Sequence, residues 1–248
     1  PGIYSLNATS EDEIVARDFI LDGDYDLVVS ILDASNLERN LYLTLQLIEM
    51  HVPLLVVLNK MDRAQANDMR IDPEHFQHHL GCPVVSSVAT SRDGISAIRS
   101  AVGEAMGNPS PATAHVSYPE AVEEVLASWC DRLRPLEDRI GMPARYAAVR
   151  LLEEDGFVHG VVQRLEVLSA EEIASTRAEL ERSLGEELDI AVADSRFAFI
   201  HGVSRDVVKR RPTRQSITEK IDNVVMNRWL GLPIFLGAMY LVFWATIA

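Results

Sequence analysis

Residues 54–62 read Leu-Leu-Val-Val-Leu-Asn-Lys-Met-Asp, a short apolar run that passes directly into polar side chains. Similar runs lie before it, at 27–32, and after it, at 83–88. Continuous apolar residues, rather than alternating ones, are typical of strands buried on both faces, as in a parallel sheet. Helical patterns follow each run, including predicted helices at 73–80 and from Gly94 onward. The first part of the chain is therefore predicted to be a doubly wound α/β domain.

Composition excludes several classes of protein. The 248 residues are enough for one large or two modest domains. With 37 acidic against 23 basic side chains, the net charge of -14 argues against a general nucleic-acid binder. Cys82 and Cys130 stand in unrelated contexts, which excludes a disulfide framework or a zinc ribbon and fits a reducing compartment.

The pattern changes after residue 107. A stretch rich in Pro, Ser and Asn at 108–116 indicates a linker, and the following residues are helical in character. We predict helices over 118–134, 143–154, 169–184, 186–209 and 216–228. Three helix starts have capping-box spacing, namely Ser35 with Glu38, Ser117 with Glu120 and Ser169 with Glu172. The predicted division is 1–107, linker 108–116, helical domain 117–228 and a last segment, 229–248.

The last segment, 229–248, has no charged side chain and is almost wholly apolar. About 20 such residues match a bilayer core about 30 Å thick, so the pattern predicts a transmembrane helix. The alternative is a buried C-terminal helix, but such a helix normally keeps a polar stripe. Six basic against two acidic residues at 209–228 place the preceding chain on the cytoplasmic side and favour contact with anionic lipid headgroups over nucleic acid.

Asn59, Lys60, Met61 and Asp62 follow the second strand, where ligands bind in open α/β sheets. A carboxylate at Asp62 can accept hydrogen bonds from both N1 and the exocyclic amine of guanine, which adenine cannot supply. The Asn59 amide can bridge the base and the neighbouring loops, and the aliphatic stem of Lys60 can cover the base and ribose. The alternative is that Asn59 and Asp62 only cap a turn and a helix.

The third strand ends in Ser86-Ser87-Val88-Ala89-Thr90. A loop here can offer backbone N–H groups to a base carbonyl, with hydroxyl side chains supporting it. Small polar residues at a strand end are common, so this pattern by itself is weak. His75, His78 and His79 share one helix surface, but a solvated face is favoured there over a metal site.

The N-terminal residues Pro1-Gly2-Ile3-Tyr4-Ser5-Leu6 resemble the segment after Asp-Leu in the Asp-x-x-Gly motif of GTPases. In those proteins the Gly N–H meets the γ-phosphate. The phosphate-binding loop Gly-x-x-x-x-Gly-Lys-[Ser/Thr] does not occur in the 248 residues.

Two further segments are distinctive: 33–47, which reads Asp-Ala-Ser-Asn-Leu-Glu-Arg-Asn-Leu-Tyr-Leu-Thr-Leu-Gln-Leu, and 227–235, which reads Asn-Arg-Trp-Leu-Gly-Leu-Pro-Ile-Phe. With the motifs above, they make the whole chain resemble the ferrous iron transport protein B family of bacterial inner-membrane transporters. The resemblance implies a partial P-loop GTPase-type sheet, a helical coupling domain and a first transmembrane helix. It implies GTP or GDP binding by Pro1, Gly2, Asn59, Lys60, Met61, Asp62, Val88, Ala89 and Thr90. Position 60 departs from the family, where Met is frequent.

The resemblance also sets expectations for activity and partners. Mg²⁺ is expected only in the intact parent, because the phosphate loop, the Mg²⁺ ligands and the first switch are expected to precede Pro1. The 248 residues alone are therefore expected to be hydrolytically inactive. The implied partners are the rest of the transporter and small Feo accessory proteins. Two alternatives stay open: a soluble regulatory GTPase of the RNA-modification or ribosome-assembly type, and an interaction fragment without nucleotide function.

Overall fold

The structure is a computed structural model and describes residues 3–6, 10–210, 225 and 231–247. Two compact units are present, Pro1–Lys209 and Arg210–Ala248. The strands are Val28–Asp33 (β1), Leu54–Asn59 (β2), Met69–Ile71 (β3), Val84–Ser86 (β4) and Val208–Arg210 (β5). The helices of the first unit are Glu11–Asp22 (α1), Leu37–Glu49 (α2), Met61–Ala66 (α3), Pro73–Leu80 (α4), Arg92–Gly107 (α5), Glu120–Leu133 (α6), Glu137–Ile140 (α7), Ala144–Leu152 (α8), Gly156–Arg164 (α9), Ala170–Leu184 (α10) and Leu188–Val207 (α11).

The three predicted strands form one parallel sheet in the order β1-β2-β4. The central strand β2 is buried along Leu54–Leu58, as its continuous apolar run predicts. Helices alternate with these strands along the chain, so the predicted α/β class is confirmed. β3 and β5 form a separate two-stranded sheet.

Several elements have no counterpart in the predictions, among them α1, β3 and α9. In α1 the apolar residues do not share one buried face, because Val15 and Phe19 are 66% and 60% exposed. β3 is only three residues long. α9 begins at Gly156, just after the predicted helix at 143–154, and Asp155 caps it by accepting from the backbone N–H groups of Phe157 and Val158.

The predicted capping boxes give mixed results. Ser169 accepts from the N–H of Glu172, as predicted. Ser35 does not cap α2, because it lies inside a 3₁₀ turn, Ala34–Asn36, that is capped by Asp33. Ser117 does not cap α6 either: the N-cap residue is Pro119, and its side chain makes no capping hydrogen bond.

The predicted linker packs against the first domain. Backbone N–H groups of Thr113 and Ala114 donate to the carbonyl oxygens of Gly81 and Leu80, at 3.3 and 3.2 Å. Gly81 has a φ of 66°, and a Cβ added there would lie 1.9 Å from the hydroxyl oxygen of Thr113. Glycine at position 81 therefore serves both the left-handed helix end and the close approach of the linker.

The region after the linker is helical, as predicted. The four predicted helices between 118 and 209 match α6, α8, α10 and α11 to within two residues at each end. α6 packs on α8, and α11 packs on α10 and also on α2 and α4 of the sheet region. The predicted helix at 216–228 lies outside the described residues apart from Val225.

A buried arginine connects α11 to the sheet region. The Arg196 side chain is 0% exposed and pairs with Glu49 at the end of α2, at 3.0 Å, and with Glu153 after α8, at 2.6 Å. Tyr118 donates its hydroxyl to the same Glu49 at 2.5 Å. Burial favours the neutral form of Arg196 and so lowers its pKa. The two carboxylates raise the pKa by more, and it lies well above the usual value.

The second unit contains a helix, Gly231–Ile247, within the predicted segment 229–248. Its apolar side chains are largely exposed, including Phe235, Tyr240 and Trp244. In the part of the chain that the structure describes, no helix has both the length and the apolar character needed to cross a membrane.

We predict that Arg196→Ala lowers the free energy of unfolding by about 3–5 kcal/mol, because Glu49 stays buried without the charge of Arg196 and Glu153 keeps only Arg150. Urea denaturation followed by circular dichroism measures the change. Arg182→Ala is the control: Arg182 is an exposed residue of α10, so we expect a change within about 0.5 kcal/mol. Equal effects of the two substitutions would contradict the prediction.

A second prediction concerns acid stability. Burial raises the pKa of Asp155, but Arg150 and the N–H groups of Val158 and Phe157 outweigh it, so the net pKa is lowered. Asp155 therefore contributes stability at neutral pH that is lost as the pH falls below about 4, through its folded pKa. We expect Asp155→Asn to cost about 2–3 kcal/mol at pH 7 and progressively less toward pH 3.

Urea titrations of wild type and Asp155→Asn at several pH values measure this difference. Asp194→Asn, which changes an exposed carboxylate on α11, is the matched control and should show little difference at any pH. A constant cost of Asp155→Asn across the range would show that its ionisation does not matter.

Candidate functional site

The parallel register brings polar residues together at the carboxyl edge of the sheet. Asp33, the last residue of β1, pairs in register with Asn59, the last residue of β2. β4 ends next to them: the N–H of Ser87 donates to the carbonyl oxygen of Leu58 at 2.8 Å. Side chains of two strand ends and the backbone after a third therefore lie at one edge, where open α/β sheets bind ligands.

Asn59 joins two of the predicted loops. Its Oδ1 atom accepts from the backbone N–H of Lys60 at 2.8 Å and from the N–H of Ala89 at 3.0 Å. One side chain thus fixes the start of the loop after β2 and the middle of the loop after β4. The sequence predicts that the amide bridges the base and the neighbouring loops, and these two hydrogen bonds concern the loops alone.

Lys60 has an unusual backbone conformation, with φ 60° and ψ 35°. Left-handed geometry is uncommon for a residue with a side chain. It lets α3 begin at Met61 directly after the strand, so Met61 and Asp62 occupy the first turn of a helix. The Lys60 ammonium pairs with the carboxylate of Asp33 at 2.5 Å.

The loop after β4 packs tightly against the start of α5. Ser91 caps this helix by accepting from the N–H of Gly94, and its own hydroxyl donates to the carbonyl of Val88. A Cβ added at Gly94 would lie 2.4 Å from that carbonyl oxygen and 2.8 Å from Oγ of Ser87. The absence of a side chain at position 94 therefore allows the loop to reach Asn59.

A cavity of about 260 Å³ lies at this edge. Its polar lining comes from both strand ends, the start of α2 and the N-terminal segment: Tyr4, Asp33, Asn36, Asn40, Asn59 and Lys60. The Arg39 guanidinium lies over the Tyr4 ring, 4.0 Å from its centroid. Such a contact restrains an aromatic side chain that is otherwise half exposed.

The predicted site residues fall into three groups. Asn59 and Lys60 line the cavity, and Ala89 is bonded to Asn59. Asp62 is exposed on the first turn of α3 and does not line the cavity, and neither do Met61, Val88 and Thr90. Pro1 and Gly2 lie outside the described residues.

Four polar lining residues, Tyr4, Asp33, Asn36 and Asn40, are not among the predicted site residues. The rule that drew attention to Asn59, a polar residue at the carboxyl end of a buried strand, applies equally to Asp33. Tyr4 lies within the motif at 1–6, but no pattern in the sequence places it beside Asn59.

A larger cavity of about 500 Å³ lies between α1 and the α8–α9 loop, away from these strand ends. Lining charges of this cavity are paired with each other, as in Arg150 with Asp155. The smaller cavity is the better candidate for ligand chemistry because it lies at the carboxyl edge of the sheet, where open α/β sheets bind ligands.

In the described part of the chain, no three His, Cys, Asp or Glu side chains are placed so that they could bind a metal ion together. His75 and His79 stack on each other, and His79 lies 3.6 Å from Asp206. In the candidate cavity the one lining carboxylate, Asp33, is paired with Lys60. The residues described there do not fit Mg²⁺.

Sequence comparison relates both parts of the chain to one family. Residues 1–102 match Ferrous iron transport protein B, and residues 118–209 match the FeoB cytosolic helical domain. The Fe(2+) transporter FeoB of Salmonella typhimurium is 37% identical over 254 residues, an alignment that covers 100% of this chain. The chain spans 32% of the length of that relative.

Solved structures share the fold. An S. thermophilus NFeoB variant bound to GDP has a TM-score of 0.70 at 31% identity, covering 84% of this chain and 79% of that one. The cytosolic domain of T. maritima FeoB in the GMPPNP form has a TM-score of 0.68 at 29% identity, covering 84% and 78%. From these matches and the two successive family regions, the chain belongs to the ferrous iron transport protein B (FeoB) family.

Proposed function

We propose that the edge of the sheet binds a guanine nucleotide, GTP or GDP. The observation that carries this proposal is the double hydrogen bond of Asn59, which holds the loops after β2 and β4 together beside a polar cavity. The relatives solved with GDP and in the GMPPNP form support the same ligand class.

The predicted residues other than Met61 have these roles in the proposal. Asp62, exposed on the first turn of α3, accepts from N1 and the exocyclic amine of guanine. The aliphatic stem of Lys60 covers the base, and the loop Val88-Ala89-Thr90 offers backbone N–H groups to its carbonyl oxygen. Pro1 and Gly2 belong to the γ-phosphate motif.

For the full-length protein we propose ferrous iron transport across the bacterial inner membrane, regulated or driven by GTP binding and hydrolysis. Residues 1–228 would lie on the cytoplasmic side, with the basic residues of 209–228 against lipid headgroups. The rest of the transporter and small Feo accessory proteins are the proposed partners. Hydrolysis is proposed for the full-length protein only, because the 248 residues lack a phosphate-binding loop.

The contacts of Arg196 support the proposed coupling role of the helical region. Arg196, on α11, pairs with Glu49 at the end of α2 and with Glu153 just after α8. The start of α2 lines the candidate cavity. A rigid connection of this kind is one way in which nucleotide state could bias the helical region.

The alternative of a soluble regulatory GTPase is not favoured, since the relatives found are iron transporters. Membrane fractionation of the full-length protein tests the transporter proposal directly. We expect the protein in the membrane fraction. Recovery wholly in the soluble fraction would refute this part of the proposal.

We predict that Asp62→Asn in the full-length protein lowers GDP affinity at least about a hundredfold and favours xanthosine diphosphate. The amide can donate to the additional carbonyl of xanthine, whereas the guanine amine loses its acceptor. Fluorescence titration with both nucleotides measures the change in preference.

Asp68→Asn is the matched control for this experiment. Asp68 is an exposed residue just after α3, so the substitution removes the same charge from the same region without touching the base. If Asp62→Asn keeps the preference of the wild type for guanine over xanthine, Asp62 does not recognise the base.

A further inference from the structure

The two oxygens of Asp33 have separate tasks. Oδ1 accepts from the backbone N–H of Ser35 at 2.9 Å and from the Ser35 hydroxyl at 2.6 Å, and so caps the 3₁₀ turn before α2. Oδ2 accepts from the Lys60 ammonium at 2.5 Å. The turn uses only Oδ1, so the contact between Oδ2 and the Lys60 ammonium has a role other than capping the turn.

Lys60 is held at both ends of its side chain. Its backbone is kept in the left-handed conformation, where its N–H donates to Asn59, and its ammonium is held by Asp33. A lysine side chain normally has several rotatable bonds and much conformational freedom. With both ends fixed, the aliphatic stem has a defined path along the wall of the cavity that both residues line.

The electrostatics agree with a persistent ion pair. Burial raises the pKa of Asp33, but Lys60 and Ser35 outweigh it and hold the pKa below its usual value, so the carboxylate is ionised at neutral pH. The side chains are 25% exposed for Asp33 and 44% exposed for Lys60. Such a pair is weaker than a buried one, and its effect is correspondingly modest.

We infer that Asp33 is a positioning residue of the nucleotide site: its carboxylate holds the Lys60 side chain in place to cover the bound base. This inference rests on the proposed function. A pre-positioned lysine loses less freedom when the nucleotide binds, so binding is tighter without any new contact to Asp33 itself. Asp62, not Asp33, remains the residue that distinguishes guanine.

The test is a double-mutant cycle in the full-length protein, with GDP and ADP affinities measured by fluorescence titration. Asp33→Asn keeps an oxygen that can accept from Ser35 but removes the charge that holds Lys60. We expect about two- to fivefold weaker GDP binding, with guanine still preferred over adenine. In the Lys60→Met background, Asp33→Asn should change GDP affinity by less than it does in the wild-type background.

Two controls separate positioning from a general effect of charge or folding. Asp26→Asn removes an exposed carboxylate just before β1, at the opposite end of the strand, and should leave GDP affinity unchanged. Thermal unfolding of Asp33→Asn should show a cooperative transition well above the assay temperature, so that the affinities are those of folded protein. The effect of Asp33→Asn should also shrink at about 1 M salt, because half-exposed ion pairs are screened.

Three results would overturn the inference. Equal losses in the wild-type and Lys60→Met backgrounds would mean that Asp33 acts through Ser35. Unchanged affinity would mean that Lys60 needs no anchor, and tighter binding would mean that the ion pair competes with the nucleotide. A wild-type protein that does not prefer GDP over ADP would instead refute the proposed function, which distinguishes the two failures.

Discussion

The parallel register of β1 and β2 is the constraint on which the site depends. It sets Asp33 opposite Asn59, and the adjoining β4 delivers Ala89 to within hydrogen-bonding distance of the same amide. A shift of one residue in either strand would turn these side chains to the other face of the sheet. The buried apolar run of β2 opposes such a shift. Each of its side chains would move into a space that is packed around a different side chain, and close packing would be lost on both faces of the sheet.

The helical region is joined to the sheet region through charge as well as apolar packing. Arg196 is fully enclosed, and the cost of removing its charge from water is offset by the ion pairs with Glu49 and Glu153. Tyr118, just after the linker, adds a hydrogen bond to Glu49. Tyr118, α2, α11 and the residue after α8 thus meet at one buried group. Movement of α2 or α11 would separate Arg196 from Glu49.

Local patterns predicted much of the fold. The three strands of the parallel sheet follow from continuous apolar runs, and the helix at 73–80 and four helices after the linker follow from apolar periodicity. Both patterns depend only on neighbours in sequence. The capping errors occurred where spacing alone does not decide which side chain accepts from the first N–H groups. Ser35 has the spacing of a capping residue, yet it lies inside a 3₁₀ turn, where its N–H donates to Asp33. α9 starts at a glycine, since Asp155 is fixed there by Arg150 and can cap the helix.

The sequence by itself determined the α/β class, the family resemblance and the two polar segments, Asn59–Asp62 and Val88–Thr90, that follow neighbouring strands. Only the tertiary structure decided which side chains line the cavity. Asp33 and Lys60 are 27 residues apart, and no periodicity relates them. Arg196 lies 147 residues from Glu49, so its role as a buried junction could not be predicted either. Pairing of charges over such distances depends on how the elements pack, because each charge is stabilised only by what surrounds it in space.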